Sequence, residues 1–145
     1  MKKINYYKTY QDDFVESKDQ NYKLPENYKW IHENKLYRIN SKILYNIAYV
    51  VSKIYCKFFL HIKIENSKIL KKYKKEGYFL YGNHTQPIGD VFTPAHICKG
   101  KRIYVIANSS NLKVKIIGGL LPILGILPIP DKVNGMKEFF KAVKK

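Results

Sequence analysis

Apolar residues recur along this chain in two rhythms. Between residues 41 and 62 they fall three or four apart, at Ile43, Ile47, Val50, Val51, Ile54, Phe58 and Leu60, with Lys42, Lys53 and Lys57 between them. That spacing predicts a helix over 41–62, with Ser41 as its N-cap. Tyr45, Tyr55 and Phe59 broaden the apolar face. Such a helix either covers one face of a sheet or lies in a lipid interface, its lysines reaching anionic headgroups. Residues 134–145 repeat the helical rhythm, with Met136, Phe139, Phe140 and Val143 as the stripe.

The second rhythm is the short apolar run. Residues 78–81 (Tyr-Phe-Leu-Tyr) and 102–107 (Arg-Ile-Tyr-Val-Ile-Ala) read as buried strands, and alternation over 61–65 reads as an edge strand. Residues 91–98 continue as a helix despite Pro94, and Gly100 stops it. A strand, a turn, a helix and a strand in that order predict a parallel crossover and an α/β fold. Residues 111–131 are strongly apolar but broken by glycine and proline, so they predict a buried helix, a turn and a third strand rather than one membrane span. Residues 1–40 form a polar, Tyr-rich leader with Asp12, Asp13, Glu16 and Asp19 clustered early and Pro25 breaking any periodicity. Trp30 either sits at a headgroup interface or packs the leader onto the domain.

Composition narrows the partners. The 145 residues suffice for one domain, and a net charge of +16 creates a field that favours phospholipid surfaces, phosphorylated metabolites or nucleic acid. Nearly all of that charge is lysine, since Arg38 and Arg102 are the only arginines. Scarce arginine and the lack of any nucleic-acid-binding pattern argue against nucleic acid. The basic cluster at 70–76 reads as a solvated face. Cys56 and Cys98 have neither metal-ligand spacing nor a disulfide framework, which fits a reducing cytoplasm. The first five residues lack a signal-peptide core, and no uncharged run reaches the length of a membrane-spanning helix, so any membrane contact is expected to be peripheral.

The candidate chemistry lies in residues 82–90, Gly-Asn-His-Thr-Gln-Pro-Ile-Gly-Asp. Gly82 ends the apolar run, and Pro87 and Gly89 shape a turn. His84 is the residue type suited to taking a proton near neutral pH, and Asp90 can orient its ring and support the imidazolium. Backbone N–H groups of the 83–89 turn could stabilise an oxyanion.

Asn83-His84 followed closely by Asp90, after an apolar run, resembles the first motif of the glycerolipid acyltransferases, the 1-acylglycerol-3-phosphate acyltransferase family. That motif is His-x4-Asp; here five residues intervene, and a bulge at Pro87-Ile88-Gly89 would absorb the extra one. Residues 125–129 (Gly-Ile-Leu-Pro-Ile) resemble the family's second-region strand, which leads to a phosphate-binding arginine. Asp131 stands at that place, and Lys132 follows as a point charge without the arginine fork.

The resemblance covers about residues 60–145, the first half of such a domain, and the family's third motif is absent. It implies an α/β mixed sheet flanked by helices, truncated, and preceded by the amphipathic helix at 41–62. The expected organisation is a leader at 1–40, the helix at 41–62 and a partial acyltransferase domain at 63–145. His84 and Asp90 are then catalytic, and Asn83, Thr85, Gln86 and Lys132 bind substrate. The implied reaction carries a fatty acyl group from an acyl thioester (coenzyme A or acyl-carrier protein as co-substrate) to a lysophospholipid hydroxyl, with no metal or other cofactor. It would take place at an anionic membrane surface on the cytoplasmic face. The alternative is a non-enzymatic, basic, peripheral membrane-binding protein, which explains the charge and the helix but gives no reason for the Asn-His turn.

Overall fold

A computed structural model describes residues 22–84, 89–115 and 117–145. The acidic cluster at 12–19 therefore lies outside the described residues, as do Thr85 and Gln86. The longest element is helix α1, Lys35–Phe58. It starts six residues before the expected 41–62 because Asn34, not Ser41, caps it: the Asn34 side chain accepts from Leu36 N at 2.8 Å and Tyr37 N at 3.3 Å. It ends where Leu60 N turns back to Tyr55 O and His61 takes a left-handed φ of 50°.

α1 packs with its small residues rather than its large ones. Ser41, Ser52 and Cys56 are buried, whereas Leu36, Ile43, Ile47, Val50, Val51, Ile54 and Phe58 are exposed. Helix α2, Gly89–Ile97, lies against it. Tyr49 meets His96 with ring centroids 4.8 Å apart, and Tyr55 meets Phe92 edge-on at 6.2 Å. Pro94 sits inside α2 as expected.

The sheet among the described residues has two strands, β1 (Val105–Ala107) and β2 (Ile126–Pro128). They pair in parallel with Val105 opposite Ile126 and Ala107 opposite Pro128. The link between them folds as two 3₁₀ turns, Ser109–Lys113 and Gly118–Leu120, and the one-turn helix α3, Leu121–Leu124. Gly125 reverses the chain into β2 at φ 104°, a conformation that favours glycine. A Cβ there would stand 2.8 Å from Ile103 O.

Two expected strands do not form. Residues 78–81 pair with no strand among the described residues, and Phe79 and Tyr81 are 64% and 92% exposed. Residues 61–65 are bounded by two left-handed residues, His61 and Asn66, and likewise pair with no strand among the described residues. The parallel pair is β1 with β2, not 78–81 with β1.

Helix α4, Val133–Lys144, buries Phe139. Residues 22–32 fold back onto this end of the molecule. Trp30 Nε1 donates to Pro128 O at 2.9 Å, and its ring meets Tyr28 and Phe139 edge-on. Trp30 thus packs this segment onto the domain, the second of the two roles open to it. Burial, with Tyr37 and Tyr22 nearby, pushes the Tyr28 hydroxyl up to about 12.

Candidate active site

His84 reaches the site on an irregular segment held at its far end. Lys101, in the loop after α2, donates to Glu76 O and places its ammonium 4.9 Å from the Tyr78 ring centroid. From there residues 78–84 carry the chain to the other end of α2, where it re-enters the helix at the buried Gly89. Asp90 stands in the first turn of α2. A carboxylate there is favoured by the partial positive charge of the helix N-terminus. Thr93 Oγ1 donates to Gly89 O at 2.7 Å and tightens the same turn.

The two side chains meet: His84 Nδ1 lies 2.9 Å from Asp90 Oδ2. The imidazole is 49% exposed and the carboxylate 28%. With Nδ1–H donated to Asp90, Nε2 is the acceptor nitrogen, the arrangement a general base requires. Five intervening residues therefore allow the contact. Asn83 is exposed immediately before His84.

Lys132 has different surroundings. Its Nζ pairs with Glu26 Oε1 at 2.5 Å, which raises the lysine and lowers the glutamate from their usual ranges. It lines a cleft of about 190 Å³ with Lys23, Glu26 and Asn134, and neither His84 nor Asp90 lines that cleft. Asp131, where the resemblance expects an arginine, is a structural acceptor. Leu24 N donates to its Oδ2 at 3.0 Å and Ser109 Oγ to its Oδ1 at 3.2 Å.

Two polar centres were missed by reading the sequence. Arg102 Nη2 donates to Ser41 Oγ at 2.7 Å and to Ile123 O at 2.8 Å, with the guanidinium over the rings of Tyr45 and Tyr104. The signal was available: a rare arginine in a chain that otherwise uses lysine. The other centre is His96, whose partner lies 44 residues away in the chain. Its Nε2 lies 2.9 Å from Ser52 Oγ in a buried contact between α2 and α1. Ser52 Oγ also donates to Tyr49 O. Burial, then Lys53 and Lys99, hold His96 below the usual histidine range. No group of three His, Cys, Asp or Glu able to hold a metal occurs among the described residues. Compared with family models, with curated proteins and with solved structures, the chain matches none.

Proposed function

We propose that this protein is an O-acyltransferase in which His84 is the general base and Asp90 its orienting carboxylate. The acceptor is a lysophospholipid such as 1-acylglycerol-3-phosphate, and the donor is an acyl thioester. The observation that carries the reading is the 2.9 Å contact between His84 Nδ1 and Asp90 Oδ2 on a half-exposed imidazole. Nε2 takes the proton of the acceptor hydroxyl as its oxygen attacks the thioester carbonyl. The tetrahedral intermediate collapses with cleavage of the carbon–sulfur bond, and the imidazolium returns its proton to the departing thiolate. The products are an ester and a free thiol, and no acyl-enzyme forms. Asp90 keeps Nδ1 protonated, so Nε2 stays available, and it stabilises the imidazolium in between.

The test follows thiol release from acyl-coenzyme A with lysophosphatidic acid as acceptor. His84→Ala is expected to lower turnover by roughly 10²–10⁴-fold, the usual contribution of a positioned base. Turnover by His84→Ala equal to that of the parent protein refutes the assignment.

A further inference from the structure

The large apolar side chains of α1 point away from the molecule. Leu36, Ile39, Ile43, Ile47, Ile54 and Phe58 are each between 51% and 71% exposed. At roughly 100° per residue they fall within about a third of the helix circumference. They run for about 33 Å along the axis at 1.5 Å per residue. Asn40 and Lys57 also fall in that arc, one at each edge, and the side of α1 that faces the molecule is built from Ser41, Ser52 and Cys56. An exposed apolar surface of this length marks an interaction face rather than ordinary surface scatter.

Charge identifies what covers it. Lys35, Lys42, Lys53 and Lys57 follow one edge of the stripe, and α1 contains no acidic residue. Lys57 already extends beside the stripe, its ammonium 5.3 Å from the Phe58 ring centroid. Lysines along the border of an apolar face can bury their stems in the acyl boundary and hold their ammonium groups at headgroup level. A protein groove would also take the apolar face, but an edge of cations without a single carboxylate, on a chain of net charge +16, selects a negatively charged surface. No described helix is long and apolar enough to cross a membrane.

We propose that α1 lies flat on an anionic lipid surface, its 36–58 stripe in the acyl boundary and its lysine edge at the headgroups. This surface works without the acyl-transfer chemistry, so either reading can fail alone. The test is co-sedimentation of the full chain with vesicles of phosphatidylcholine, with and without phosphatidylglycerol, repeated with His84→Ala. Binding at least tenfold tighter to the anionic vesicles, weakening with added salt and unchanged in His84→Ala, is expected. Ile47→Glu with Ile54→Glu should reduce binding at least tenfold. Lys42→Gln with Lys53→Gln should reduce binding to anionic vesicles alone, by about fivefold per lysine. All four side chains are exposed, so the variants should keep the parent circular dichroism. Absence of vesicle binding by the parent protein overturns the proposal, and so does binding that survives the paired glutamates. A concentration-dependent dimer that those glutamates dissolve also overturns it, because a second copy would then cover the stripe.

Discussion

Removing Arg102 should loosen the junction of α1, β1 and α3. The guanidinium contributes two hydrogen bonds, to Ser41 Oγ and Ile123 O, and lies over the rings of Tyr45 and Tyr104. A hydrogen bond involving a charged group stabilises by about 1.5–3 kcal/mol net. A partly exposed cation–π contact adds about 0.5–1 kcal/mol. Loss is softened because Ile123 O keeps its 2.5 Å bond from the Ser41 hydroxyl, so neither acceptor is orphaned. Arg102→Ala should therefore destabilise by about 2–4 kcal/mol, a large share of the 5–15 kcal/mol typical of a domain. Arg102→Lys keeps the charge but not the two-pronged reach and should recover about half of the loss. The assay is urea unfolding followed by fluorescence of Trp30, the single tryptophan, which is held against Pro128 and Phe139. The midpoint should fall with little change in slope. Because Arg102 and Ser41 share Ile123 O, the double variant with Ser41→Ala should be non-additive by at least about 0.5 kcal/mol. An Arg102→Ala loss below about 0.5 kcal/mol would show that the cluster contributes no more than surface contacts do.

His96 gives a pH dependence of known sign. Its folded pKa lies below the unfolded value, so the unfolded chain binds more protons in acid. Stability should be full above about pH 6.5, the unperturbed histidine value, and fall as the pH drops below it, and His96→Gln should flatten that slope in the same unfolding assay. Gly125→Ala should lower stability by about 1–3 kcal/mol, since φ is 104° and a Cβ meets Ile103 O at 2.8 Å; loss of the thermal transition by several degrees is the readout. Asp90→Asn should cut the proposed acyl transfer while leaving vesicle binding intact, because an amide cannot hold the His84 tautomer as a carboxylate does; equal turnover would remove Asp90 from the mechanism.

Helices α2 and α4 were legible in the sequence because each carries its own start and stop signals. α4 begins within one residue of the expected start, and the α3–Gly125–β2 order follows from the glycine and proline breaks of 111–131. The start of α1 was misread because an N-cap depends on a local hydrogen bond, and Asn34 competes with Ser41 on equal chemical terms. Ser41 was instead taken by a residue 61 positions away, Arg102, which no local pattern records. The run at 78–81 was misread for a related reason. An apolar β-rich segment becomes a strand only when a partner supplies the ladder, and here Phe79 and Tyr81 meet solvent. The His84–Asp90 contact was legible because both lie in one short segment; the fate of Lys132 was not, because Glu26 is 106 residues away.

The clasp made by Trp30 and Asp131 has a consequence for the order of events during synthesis. Trp30 reaches Pro128 across 98 residues, and Leu24 reaches Asp131 across 107. The segment around 22–30 therefore emerges from the ribosome early and has no docking place until the β2–α4 region follows. At about 5–20 residues per second that interval lasts roughly 5–20 s. Helix α1 has emerged in full long before that interval ends, while β1, β2 and α4 are still being made. For that period its apolar stripe is already made, so α1 is available to a chaperone or a bilayer before the clasp can close.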